Sequence, residues 1–441
     1  MKKISWQMWK YLLAGFMGRF GSSMFGFALG FFVLKQTGSA LGMGVTLITG
    51  PLVSLVLTPF VGYVVDTMNH RRVILICQVM SMVMLVVFGL VYRIWPAQYY
   101  IEIIGLMIVL QISDNFFSTA ISASMIQLFD ETELQKVNSL SMSITSTAGF
   151  LAPIIGAIVY AWVSIDVFAF IEVAFEFIAL AGFLMLNFNR TTVASEENMV
   201  EQPTEVEPKE GIFQNFKSGF SYLRTQPMVA FIMVIAAGVN FFFAAQNVGM
   251  PFLLVDTLKI PSQPYGVIMS ASAIGMFLGG LIFSSLKIKT HIVKLTVRNL
   301  MVMSTMLIVI AIPEFMGWPI LGNTIFYFIY NLLEGMLLVF INTPIGVLAQ
   351  QTIAPKYQGR VFSMLGTLAT LLMPVGTLIF GALFDISGAF WIFVSTSIAM
   401  FVLLVVGTIY LKRTHLIEQD EEKKKKAESE QIAATENLVV E

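Results

Sequence analysis

Charge is what this sequence has least of. Only 12% of its 441 residues are charged and 57% are hydrophobic, whereas a soluble domain carries about 25% charged residues. That shortage excludes an ordinary water-soluble fold. Cysteine is almost absent. Cys77 stands alone in an apolar run, so no internal disulfide can form, and a small packing residue is expected there. Histidine is scarce and scattered. His70, His291 and His415 fall between apolar runs, neither clustered nor paired with cysteine, and suggest no metal site. No G-x-x-x-x-G-K-[ST] loop occurs, so the chain brings no ATPase of its own. No serine–histidine–acid arrangement can be drawn, and neither an enzyme nor a cofactor is expected. A net charge of −1 implies no nucleic-acid partner. The ten-residue alternation of a membrane β-barrel is missing as well. No small-residue cleavage site follows the short basic start, Met1 to Lys10, which reads as the lead into a retained first helix.

What the chain has instead is long apolar runs, about twelve of them, many exceeding 18 residues. They predict an all-α polytopic membrane protein with twelve transmembrane helices in two six-helix halves. The spans fall near 11–34, 42–65, 73–93, 98–127, 138–163 and 167–188, then 227–254, 265–286, 293–312, 318–347, 361–384 and 389–411. The division is an N-terminal half at 1–190, a linker at 191–226, a C-terminal half at 227–411 and a charged tail at 412–441. Lysine and arginine concentrate at the even-to-odd junctions, among them Arg71, Arg72, Lys136, Arg190, Lys287 and Arg360. The opposite junctions hold only Lys35, Arg93 and Lys259. The asymmetry predicts both termini in the cytoplasm. In the linker, Ser195 to Glu210 is too polar to fold alone. Ile212, Phe216, Phe220 and Leu223 then recur at helical spacing, as in an amphipathic helix lying at the membrane surface.

Ionisable residues inside the apolar runs are the functional candidates. Each costs on the order of 3 kcal/mol in a membrane, so it is expected to face a cavity or a partner. Arg19 lies in span one, Asp114 in span four, Glu172 and Glu176 one turn apart in span six, and Glu334 in span ten. Arg19 and Asp114 can be a structural pair; alternatively, the set can be a proton or cation site. Asn240, Gln246 and Asn247 of span seven and Asn331 of span ten can be interhelical glue or contacts of a substrate cavity. Phe241, Phe242, Phe243 and the methionines suit an adaptable pocket.

Several stretches carry a resemblance. Gly62, Asp66, Arg71 and Arg72, between spans two and three, resemble the G-x-x-x-D-R-x-G-R-R loop of the major facilitator superfamily, without matching it position for position. Thr67 stands for its first basic residue and Asn69 for its second glycine. Asparagine tolerates positive φ better than most residues. The stretch from Gly149 to Ala157 resembles the G-x-x-x-G-P-x-x-G-G core of its drug/proton antiporters: Pro153 and Gly156 match, and Ala152 and Ala157 stand for two glycines. Such a pattern allows close helix approach and a kink. Thr37-Gly38-Ser39-Ala40-Leu41, Phe129 to Leu134, and Tyr357 to Ser363 leading to Met373-Pro374-Val375-Gly376 look like the macrolide-efflux group. The resemblance implies a monomeric exporter in a bacterial cell membrane, trading lipophilic, macrolide-like molecules for protons across the lipid bilayer. It also implies a gating role for Asp66, Arg71 and Arg72. The arginine that the family pattern often has in span four is absent here. Siderophore or lysolipid export, nutrient uptake, or a transporter-like sensor are the alternatives.

Overall fold

The computed structural model describes residues 5–129, 131–188, 227–286, 290–352 and 372–419. The linker with its expected surface helix, Lys287, Lys289, Tyr357 to Ser363 and most of the tail lie outside the described residues, as does the side chain of Asp66. Among the described residues there is no strand. The first half has α1 Trp6–Thr37, α2 Ala40–Thr67, α3 His70–Ile94, α4 Tyr99–Leu128, α5 Glu131–Trp162 and α6 Ile165–Leu184. The second has α7 Pro227–Phe252, α8 Ser262–Ser285, α9 Ile292–Val309, α10 Ile320–Thr352, α11 Met373–Ile386 and α12 Ala389–Arg413. Among the described residues, ten of these are long and apolar enough to cross a membrane. The other two, at the fifth and eleventh places, are shorter apolar helices, Thr147–Trp162 within α5 and Met373–Ile386.

Local chemistry sets the helix ends. Gly38 closes α1 at φ 55°, donating its N–H to the Leu34 carbonyl at 2.9 Å. Ser39 then opens α2, its hydroxyl accepting from the Gly42 N–H at 2.9 Å. Asn69 departs from expectation. Its φ is −64°, and it acts as the N-cap of α3, accepting from the Arg72 N–H at 3.4 Å. The turn needs a capping side chain there, not a left-handed residue. Pro251 takes one amide out of the end of α7, which continues as a π turn over Leu253–Thr257.

The helix contacts repeat. In the first half α1 lies on α5 and α6, α3 on α4 and α6, and α2 on α4. In the second, α7 lies on α11 and α12, α9 on α10 and α12, and α8 on α10. The two sets meet reciprocally, α2 against α11 and α5 against α8.

These meetings gather at the end of the molecule that carries the α1–α2 and α11–α12 turns, here the far end; the end near Trp6 is the near end. At the far end the Asp385 carboxylate meets the start of α2, and Tyr265 of α8 stacks near Phe27 and Phe31 of α1. A Cβ on Gly266 would collide with the Pro153 carbonyl and Ala157. The apolar core of the second half takes in Phe31, Leu34, Ala40 and Met43 from the first.

Candidate functional site

A cavity of ≈ 730 Å³ opens among α1, α3, α4, α5 and α6. Its walls mix apolar residues with Arg19, Ser22, Ser23, Gln78, Asp114 and Glu176. The mid-span charges of the first half are therefore gathered, not scattered.

Arg19 and Asp114 do not form the expected pair. The Arg19 guanidinium donates from Nη1 to Thr145 Oγ1 at 2.7 Å, across to α5. Thr145 in turn donates to the Ser141 carbonyl at 2.9 Å. The guanidinium thus reaches toward α5, where the Thr145 hydroxyl accepts from one of its N–H groups. Asp114 is exposed on the cavity wall, which it shares with Arg19 and Glu176.

Glu172 and Glu176 face inward from α6. Glu176 is buried and accepts a hydrogen bond from Gln78 Nε2 of α3 at 2.6 Å. Glu172 is 2% exposed, and its Oε2 has no hydrogen-bond partner. Glycine makes room for it. A Cβ on Gly21 of α1 would stand 2.5 Å from that oxygen and 2.6 Å from Phe175 Cβ. Among the described residues, none of the three carboxyl groups forms an ion pair with lysine or arginine. An uncompensated buried charge is costly, so such a group is suited to exchange a proton or meet a cation.

The second half is different. Glu334 is half-buried, and its hydrogen-bond partner is Gln246 of α7. Asn331 and Asn240 each donate to a carbonyl one turn back in their own helices, Tyr327 and Ala236, both at 2.9 Å. Asn247 is exposed. A groove of ≈ 960 Å³ between α8, α9 and α10 is nearly all apolar, with Arg298 and Asn299 among Phe283, Met306, Phe326 and Phe340.

The motif residues fall as follows. Gly62 has open space beside it. Arg71 donates to the Leu184 carbonyl at 3.3 Å, and Arg72 is exposed. Gly149 also has open space. A Cβ on Gly156 would lie 3.0 Å from Met24 of α1, while Pro153 and Ala157 meet Gly266 of α8. The α5 motif thus lies between a helix of its own half and one of the other. No group of histidine, cysteine and acidic side chains suited to a metal ion occurs among the described residues. Four residues of consequence escape the sequence patterns: Gln78, Thr145, Arg298 and Asp385. Gln78 was visible as a single polar break in an apolar run, and Asp385 as the one charged residue between Arg360 and Lys412. Thr145, among other hydroxyl residues, and Arg298, among Lys294, Thr296 and Asn299, carry no such mark.

Residues 11–372 match the family model described as Major Facilitator Superfamily. The macrolide efflux protein A of Streptococcus pyogenes is 21% identical over 368 residues, covering 82% of this chain and 85% of the relative. Among solved structures, the nucleoside transporter NupG aligns with a TM-score of 0.67 at 13% identity, covering 92% of this chain and all of that one. A bacterial homologue of the iron transporter ferroportin, in an inward-facing state, aligns at 0.63 with 15% identity, covering 91% and 98%.

Proposed function

We propose that this chain, which belongs to the major facilitator superfamily, exports lipophilic small molecules in exchange for protons. The observation that carries the reading is the cavity with Asp114 and Glu176 on its wall, Glu172 buried one turn from Glu176, and no lysine or arginine paired with the three among the described residues. Each cycle asks one of these groups to hold a proton and release it on the other side. Export of a lipophilic molecule is supported by the similarity to the S. pyogenes macrolide efflux protein. Residues 1–190 and 227–411 would be the rocking units, joined by 191–226, with a tail from 412. The repeated helix contacts support that division. By the lysine and arginine bias the near end is cytoplasmic, and the contacts at the far end make this an inward-facing shape. Asp66, Arg71 and Arg72 would join the near end when it shuts. The protein would work as a monomer in a bacterial cell membrane.

Uptake of a panel of lipophilic antibiotics and dyes into inverted vesicles, with and without an uncoupler, tests this. Accumulation should need the proton gradient. Asp114→Asn should keep substrate binding and lose uphill accumulation, since shape survives and the exchangeable proton does not. Uphill accumulation at the normal rate would reject Asp114 as carrier and turn attention to Glu172, Glu176 and Glu334. Accumulation insensitive to the uncoupler would reject proton exchange.

A further inference from the structure

The Asp385 carboxylate sits at the last turn of α11, in the second half, yet its hydrogen bonds go to the first. Oδ1 accepts from the Ala40 N–H at 2.7 Å. Oδ2 accepts from the Ser39 hydroxyl at 2.6 Å and from the Leu41 N–H at 3.3 Å. A helix start leaves about four backbone N–H groups without partners. At α2, two of them go to Asp385 and a third, that of Gly42, goes to the Ser39 hydroxyl. That hydroxyl serves both sides. It accepts inside its own helix and donates across to the other half. The helix-start dipole adds to the pull on the carboxylate. Around the contact the backbones are close. A Cβ on Gly381 would lie 3.0 Å from Leu41 Cα, and one on Gly44 3.2 Å from the Thr377 carbonyl oxygen.

The reciprocal meeting, α5 against α8, has no such charge. There Ser262 donates to the Ala157 carbonyl at 3.4 Å, beside glycine and alanine contacts. Of these two meetings, among the described residues, the one at α2 and α11 is a charged clasp and the one at α5 and α8 is not.

We propose that Asp385 is the latch of the far end: it caps α2 from the opposite half, and the far end opens only when that cap is released. The stretch Thr37 to Leu41 thereby has a physical task. Gly38 turns the chain, Ser39 caps and donates, and Ala40 and Leu41 present their N–H groups. The inference rests on the alternating opening proposed above, but not on the substrate or the coupled ion.

The test is distance measurement between spin labels in the full chain in lipid, in a Cys77→Ala background. A far-end pair goes at Trp95 and Ile386, and a near-end pair at Met68 and Leu286, all exposed. Asp385→Ala should raise the population with a long far-end distance at least about tenfold over the parent, since it removes three hydrogen bonds to a charged group and the loss of one would already do that much. The near-end distance should shorten in the same molecules. Ala40→Pro tests the clasp from the other side. It deletes the N–H given to Oδ1 at the first helical position, where proline is tolerated, and Ser39 is already extended at φ −117° and ψ 123°. It should shift the same populations in the same direction, and it decides alone if Asp385→Ala does not fold. A parent whose far end opens, with a folded variant that matches it, overturns the latch. A far end that opens in no protein overturns the alternating reading, and the latch with it.

Discussion

The seam between α2 and α4 and the seam between α8 and α10 occupy corresponding places in the two halves, and they are built from opposite materials. In the first, side chains do the joining. Gln111 and Asn115 of α4 donate to Ser54 of α2 at 3.2 and 2.9 Å, and the atoms nearest a Cβ on Gly50 would be those of the Gln111 side chain. In the second, backbone meets backbone. A Cβ on Gly275 would strike the Leu332 carbonyl, one on Gly335 the Ser272 carbonyl, and one on Gly279 would lie 2.9 Å from Met336 Cα. Side chains can rotate to follow a shifting neighbour; carbonyls in two helix walls cannot. The cavities repeat the contrast. The first half gathers Arg19, Asp114 and Glu176 around open space, while the second has one carboxyl, Glu334, beside an amide, and a greasy groove. Repeated architecture therefore does not imply repeated chemistry.

The strongest way to break this contrast is to give both seams a side chain. Gly275→Val should cost several kcal/mol, since a backbone carbonyl stands where the new carbons go, and should be read as loss of folded protein in detergent. Gly50→Ala should cost under about 1 kcal/mol, because the Gln111 end can swing aside. Equal losses of thermal stability in the two variants would remove the distinction.

Next in size are the amides that serve carboxylates. Gln78→Leu strips the buried Glu176 of its donor and should cost about 1–3 kcal/mol. Gln246→Leu should cost less, because Glu334 is only half-buried. Melting temperatures of the two variants rank them, and the reverse order would contradict the account.

Smaller still is the coupling between Arg19 and Asp114. They share no hydrogen bond or ion pair, so Arg19→Ala and Asp114→Ala should add to within about 0.5 kcal/mol in a double-mutant cycle. A coupling well beyond that would restore the pair. Of similar size is Ser54→Ala, which removes an acceptor shared by Gln111 and Asn115 and should cost about 0.6 kcal/mol for each hydrogen bond lost, the usual worth of such a bond within a membrane.

Much of the fold was legible because hydropathy reports burial in lipid without regard to partners. Ten spans and the positions of their turns follow from it. The mid-span charges were legible for the same reason, as Asp114, Glu172 and Glu176 are costly wherever they point. Their partners were not. Arg19 reaches Thr145 rather than Asp114, and Glu334 meets Gln246. The choice depends on how helices distant in sequence are rotated about their axes, which periodicity in a nearly uniform apolar run does not record. Asn69 shows a subtler loss. Its residue type fits a left-handed turn or an N-cap equally well, and only the backbone decides.

The turn between α1 and α2 sets a limit on travel. Thr37 and Ala40 are separated only by Gly38 and Ser39, and three Cα steps span at most about 11 Å. That is all the slack available. Any larger excursion of the α2 tip must drag α1 behind it, and α1 carries Arg19 and Ser22 into the cavity wall. The leash would transmit a displacement at the membrane surface to the charged interior with no intervening side-chain relay. Adding three or four glycines to the turn would lengthen it, leaving each helix intact while the two ends lose their common stroke.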